Sequence, residues 1–430
     1  MTELLIAFGV FFFILIIGGP LVIGLLLGAI VGLYLQVGFQ GTWGVLADGL
    51  HHLLAQYVFA TIIMFILLGF LADAGGLGKR AYDAFFKLFG HFRGGVFMAT
   101  IFATAAFSAC SGSSVAASAL FARIAYPEMK RFKYDEAYSL GCIAVAGSLD
   151  FMIPPSTIMV IYGILTNVSI GRLLIAGIVP GILLAGMLAM QVLVQVRLKP
   201  QLAPTSPQRA TRMEQVTSVI RIWPLVLVFA VIIFTMWTGL VTPSEAASLG
   251  VLVVFIWCLT VRASMKAVLE AFRNTAVTAA QIVSIIAAGL MISKVVVYSG
   301  ISAVAVEWII AHNVSLAGVW VIIILIWFIL GMIIDPTSML VVTLPLFFPI
   351  MTKLGVDGVA FGIVAVAMVE LAVITPPVGF DCFVVAAVTG VPTHVVFRGI
   401  LPFIWILFVF VFIMILFPQI ATFLPNLAYK

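Results

Sequence analysis

The chain has 430 residues, of which 64% are hydrophobic and 9% charged, with a formal net charge of +5 and a mean hydropathy of +1.29. Soluble domains carry about 25% charged residues, so this composition excludes a soluble globular fold and gives no footing for a nucleic-acid partner. Apolar runs of about 20 residues recur along the whole length, each long enough to cross a bilayer, which makes the chain an all-α polytopic membrane protein solvated mainly by lipid.

The N-terminus reads as a retained span rather than a cleavable signal, because Glu3 precedes the first apolar run and Lys, Arg and a small-residue cleavage site are missing there. Spans follow near 4–18, 20–37 and 55–74. Gly24, Gly28 and Gly32 form a small-residue stripe, where a helix of this chain or of a partner subunit packs closely. Tyr82, Phe85, Phe86 and Phe89 repeat at helical spacing, with Lys79, Arg80, Asp83 and Lys87 on the other face. That pattern predicts an amphipathic arm lying in the membrane interface. Next comes an apolar segment with a polar middle at 94–130, which contains "FSACSGSSVAASA", five serines within twelve residues. A span interrupted by "GSLDFMIPPS" covers 135–166 and another covers 170–196. Residues 199–221 are the only long polar linker.

The second half repeats this order: spans near 222–240, 244–261 and 275–297, an amphipathic stretch, a segment broken by "DPTS" at 316–351, a span interrupted by "VITPPVGFD" at 357–388, and a last span at 395–418. Pro127, Pro154, Pro155 and Pro180 recur 222 residues later as Pro349, Pro376, Pro377 and Pro402, without a gap. This is an internal repeat, with a first copy at 1–198 and a second at 222–430 joined by the 199–221 linker. If 94–130 and 316–351 are re-entrant hairpins, each copy has five crossings, and the copies insert in opposite senses. With the linker placed in the cytoplasm, 17 of the 21 Lys and Arg residues fall inside, a strong positive-inside bias. Both termini are then expected in the periplasm. Cys110, Cys142, Cys258 and Cys382 lie in apolar segments and read as small hydrophobes, with no disulfide framework or metal site.

Non-helical backbone at membrane depth survives only when buried in protein or lining a wet cavity. The four expected breaks, two hairpin tips and two Pro-Pro interruptions, should therefore meet near the midplane. The repeat pairs Ser113 with Asp335 and Thr157 with Gly379. Hydroxyls and bared carbonyls there are hard oxygen donors suited to an alkali cation, while the alternative is that small residues merely let helices pack. Asp150, Asp335, Glu370 and Asp381 fall at or beside the breaks. A carboxylate at the bilayer centre costs about 2.5–3.5 kcal/mol on insertion scales, which points to function. For Asp335, an N-cap and an ion ligand fit equally, and Lys294 either neutralises an acid or snorkels.

The segments "SACSGSSVAASA", "AVAGSLDFMIPPST", "GMIIDPTSMLVVTLPLFFPI" and "AVITPPVGFDCFVVA", in this order, resemble the large membrane subunit of tripartite ATP-independent periplasmic (TRAP) transporters, the DctM-like family, essentially end to end. The resemblance implies a sodium-driven, elevator-type transporter: two re-entrant hairpins and two discontinuous helices form a transport domain that slides against a scaffold, in an inverted structural repeat. It implies a separate small four-helix membrane subunit, a periplasmic substrate-binding protein, and an organic-acid substrate of the C4-dicarboxylate, sialic acid or sugar acid class in the bacterial inner membrane. At least two sodium ions are implied. One would lie at Ser111, Ser113 and Ser114 with carbonyls around Gly147 and Pro154, the other at Gly331, Asp335, Thr337, Thr375 and Gly379. The substrate carboxylate would lie near Pro155, Ser156 and Thr157 and near Pro377, Val378 and Gly379.

No G-x-x-x-x-G-K-[ST] loop is present, so ATP is not the driver. The histidines (His51, His52, His91, His312, His394) show no metal-ligand spacing and "CSGSS" lacks a nucleophile-elbow pattern, which disfavours a membrane enzyme. A stand-alone sodium–carboxylate carrier of the same architecture is the nearer alternative, and a channel the more distant one.

Overall fold

The computed structural model describes residues 2–54, 56–204 and 209–429, so linker positions 205–208 and Lys430 lie outside the described residues, as do the side chains of His51 and His52. Among the described residues every regular element is helical. The first half runs α1 (Thr2–Ile16), α2 (Leu21–Leu54), α3 (Val58–Ala74), α4 (Leu77–Phe89), α5 (Gly95–Ser111), α6 (Ser114–Arg131), α7 (Glu136–Ser148), α8 (Thr157–Thr166), α9 (Ile170–Ala176) and α10 (Ile178–Leu198). The linker contributes α11 (Arg212–Ile220). The second half runs α12 (Trp223–Trp237), α13 (Pro243–Thr260), α14 (Met265–Ser299), α15 (Ile301–Ala311), α16 (Leu316–Gly331), α17 (Pro336–Lys353), α18 (Gly358–Ile374), α19 (Phe380–Thr389), α20 (Thr393–Leu416) and α21 (Gln419–Ala428). The apolar faces stay bare on the outside, as Leu5, Phe13, Ile16, Leu240 and Trp405 illustrate, because lipid rather than water meets them.

Two segments double back. Phe107 on α5 and Phe121 on α6 are 14 positions apart, which is about 21 Å along a straight helix, yet their ring centroids lie 6.0 Å apart. Gly112 makes the turn in the left-handed region (φ 66°), where a side chain is strained. Trp327 on α16 likewise meets Phe347 on α17 at 5.8 Å, and its indole N–H donates to Thr343 Oγ1 at 2.7 Å. The Pro-Pro breaks interrupt α7/α8 and α18/α19, and both Pro154–Pro155 and Pro376–Pro377 are cis.

Several boundaries differ from the sequence expectation. α2 runs on to Leu54 through a kink at Gly38 (φ 72°) instead of stopping near residue 37, since one left-handed glycine redirects a helix without ending an apolar run. α14 has 35 residues, about 52 Å, and so overshoots a hydrocarbon core of about 30 Å. The polar linker folds in part, because Thr211 and Glu214 form a capping box that starts α11. Among the described residues, six helices can cross by length and composition alone, or eight if each bent pair counts as one span, and α17 is among the six.

The glycine stripe packs within this chain. A Cβ on Gly28 would meet the Ala7 carbonyl at 2.6 Å, and one on Gly32 would meet Val295 at 2.7 Å and Ala7 at 2.8 Å. α1, α2 and the end of α14 thus bury their own small core, including Phe11, Leu25 and Ile292, and Val341 and Val342 of α17 join it. Tips and breaks belong to the larger core. There α7 and α20 cross at Gly141 and Gly399, where any side chain would strike the opposite backbone.

Candidate functional site

The first tip is held by its own hydroxyls and by the first break. Ser113 caps α6 by accepting from the Ala116 N–H at 3.4 Å, the kind of cap a short oxygen side chain provides. Ser111 Oγ donates to the Ser113 carbonyl at 3.3 Å. Thr157, one residue past the Ser156 cap of α8, donates to the Gly112 carbonyl at 2.7 Å. At the second tip, Asp335 caps α17 by accepting from the Ser338 N–H at 3.1 Å and also from the Ser338 hydroxyl. The Val378 N–H donates to the Met332 carbonyl at 3.3 Å. Each break is therefore tied to a carbonyl bared by its own tip, and the starts of α6, α8, α17 and α19, with their partial positive charge, lie at these ties.

Two further bonds join the halves. Ser114 Oγ donates to Asp381 Oδ1 at 3.1 Å, from the first tip to the second break. Ser148 Oγ donates to Glu370 Oε1 at 3.4 Å, and these positions are 222 apart. Asp150, Glu370 and Asp381 are fully buried. Serines and the other acids surround them: Ser108 and Ser111 face Asp150, while Ser114 and Ser118 face Asp381. Both oxygens of Asp150, Glu370 Oε2, Asp381 Oδ2 and Ser118 Oγ have no hydrogen-bond partner. Burying carboxylates without partners costs several kcal/mol per charge, so this cluster requires a cation or protons. Among the described residues no three His, Cys, Asp or Glu reach common metal-ligand distance. An ion here would draw on hydroxyls and carbonyls as well, a hard all-oxygen set fitting an alkali cation.

The expected site residues divide. Ser111 and Ser114 face the acid cluster, and Ser113 is half-buried at the tip. Gly147 lies against Ser118 of α6, and Pro154 lines an apolar groove of about 360 Å³ beside Ala109. In the second half, Gly331 packs on Ala372, Asp335 serves as a cap, Thr337 is buried, Thr375 Oγ1 donates to the Leu371 carbonyl at 2.5 Å, and Gly379 takes the left-handed conformation that starts α19. Pro155, Ser156 and Thr157 are buried, whereas Pro377 is exposed and Val378 half-buried. Lys294 is exposed on α14. Sequence reasoning singled out Asp150, Glu370 and Asp381 but assigned them no site, and it passed over Ser108, Ser118 and Ser148. The signal for Ser148 was its repeat pairing with Glu370.

A family model described as "Tripartite ATP-independent periplasmic transporter, DctM component" matches residues 8–420. The chain belongs to this DctM family. It is 33% identical over 377 residues to the C4-dicarboxylate TRAP transporter large permease protein DctM of Pseudomonas aeruginosa, covering 86% of this chain and 87% of that one. It is 30% identical to the ectoine TRAP transporter large permease protein TeaC of Halomonas elongata, with 97% of each chain covered. It is also 30% identical to the sialic acid TRAP transporter permease protein SiaT of Haemophilus influenzae, over 99% of this chain and 69% of that protein. The fold is similar to that of the YdaH transporter of Alcanivorax borkumensis, with a TM-score of 0.64 at 15% identity over 89% of each chain. The DctM-family chain is thus a multi-pass membrane protein, a large permease subunit of the TRAP class.

Proposed function

We propose that this TRAP large permease imports an organic acid by sodium-coupled, elevator-type alternating access, in the bacterial inner membrane with both termini periplasmic. The carrying observation is the cluster of unpartnered buried oxygens on Asp150, Glu370 and Asp381 beside the first hairpin tip. One ion position would use Ser111, Ser113 and Ser114 with the carbonyls near Gly147 and Pro154, now with Asp150 and Asp381 as the nearest charges. The other would use Gly331, Asp335, Thr337, Thr375 and Gly379. A bound sodium ion would supply the positive charge these oxygens lack. The substrate carboxylate would bind between the tips, along Pro155–Thr157 and Pro377–Gly379, where helix N-termini offer N–H donors.

Two groupings support the orientation. Chain points expected outside, near residues 56–58, 167–171, 239–244 and Tyr429, line one cavity of about 510 Å³. Points expected inside, near 74–87, 218–221 and 261–263, line another of about 930 Å³. An inverted repeat is supported by Ser148 touching its own mate Glu370, since equivalent residues meet only at the axis relating two copies.

The chain's partners in this reading are a separate small four-helix membrane subunit and a periplasmic substrate-binding protein. The test is reconstitution with an inward sodium gradient and labelled C4-dicarboxylate or sialic acid, with and without the cognate binding protein and small subunit. Uptake is expected only with both present and with sodium. Uptake by this chain alone would make it a stand-alone carrier.

A further inference from the structure

A groove of about 930 Å³ opens between the end of α3, the arm α4, the linker helix α11 and the end of α13. Lys79, Arg80, Lys87 and Arg221 line it, with Asp83 as its one acid. The cations converge rather than disperse: Lys79, Lys87 and Arg221 all face Asp83. Two further acids lie nearby: Glu128 on α6 faces Asp83, and Glu214 on α11 faces Lys87. Aromatic and basic side chains meet at its walls. Arg80 stacks over the Trp257 ring at 4.8 Å, Trp257 meets Trp223 edge-on at 5.8 Å, and its indole N–H donates to the Gly75 carbonyl at 3.1 Å. Tryptophan and arginine together mark the headgroup layer.

The apolar groove beside the first break shares two of these walls. Phe85 of α4 and Ile222, next to Arg221, line it together with Phe102, Ile182 and Leu225, and it holds about 360 Å³. A basic cavity and an apolar slot thus flank α4 and the α11–α12 junction.

We propose that the basic groove binds the phosphate headgroup of an anionic phospholipid, clamping α4 to the linker helix. Juxtamembrane Lys and Arg gain about 1 kcal/mol each from anionic lipid, which is about fivefold in binding per charge. The inference uses the orientation proposed above only to name the leaflet that supplies the lipid. A symmetric bilayer removes that dependence, so failure of the transport reading leaves the result unchanged.

The experiment is native mass spectrometry of the full chain released from nanodiscs of equal phosphatidylglycerol and phosphatidylcholine. Retained phosphatidylglycerol is expected to exceed phosphatidylcholine about tenfold or more, to fall about fivefold in Arg221→Gln, and to fall further in Lys79→Gln/Arg221→Gln. Arg262→Gln/Lys266→Gln, beside the groove on the α13–α14 loop and the first turn of α14 but not among its lining residues, should leave it unchanged. Arg221 is exposed at the rim, so the single variant keeps the test decisive if the double variant does not fold. Equal losses in the Arg262/Lys266 control would overturn the proposal in favour of diffuse surface charge. Displacement of the lipid by millimolar inorganic phosphate would overturn it in favour of a free-anion site.

Discussion

At the first notch Ser114 reaches across to Asp381 while the oxygens of Asp150 stay unpartnered. At the second notch Asp335 turns back onto its own helix and is occupied by the Ser338 amide and hydroxyl. The backbone plan is shared, with a tight tip, a Pro-Pro break and one tie between them. Accessibility is not: Pro155 of the first break is buried, whereas Pro377 of the second is exposed. A polar side chain already used to cap a helix contributes mainly to folding. One left without a partner inside a closed bundle is available to a ligand, and its cost argues that it has one.

The largest effect should come from Asp381→Leu. It removes the carboxylate that joins the halves and should lower sodium-driven uptake at least about tenfold, the equivalent of one charge-assisted hydrogen bond. The thermal midpoint in detergent should fall little, since the one bond lost from Ser114 is offset by removing a buried carboxylate whose Oδ2 has no partner. Asp335→Ala should invert that balance: about 1 kcal/mol or more of stability lost with the cap, and uptake per folded molecule reduced less than in Asp381→Leu. Equal uptake losses in the two variants would erase the contrast between the notches. The smallest effect is expected from Ser113→Ala and Thr375→Ala, each raising the sodium concentration for half-maximal uptake about threefold, in line with one neutral hydrogen bond. An unchanged sodium response in both would remove these hydroxyls from the ion positions.

The hairpins and breaks were legible because Gly112, Pro154, Pro155, Pro376 and Pro377 act on the local backbone, and because small polar residues stand out in so apolar a chain. Helix ends there agree with the sequence to within two or three residues. The span expected near 20–37 was too short, because the chain kinks at Gly38 and α2 continues. The helix in the linker went unseen although Thr211 and Glu214 announce it, because the surrounding polar composition outweighed a two-residue signal. The glycine stripe was recognised as an interface, but the choice of α1 and α14 as its partners depended on distances that a one-dimensional pattern does not carry.

The sequence by itself determined that the chain lives in a membrane and where its backbone must leave the helix. These are properties of composition and of residues acting on their immediate neighbours. Only the tertiary structure decided which oxygens are satisfied and which are not. Ser114 and Asp381 are 267 positions apart, and Ser148 and Glu370 are 222. Whether a buried carboxylate finds a partner is a matter of through-space distance, set by how the halves pack.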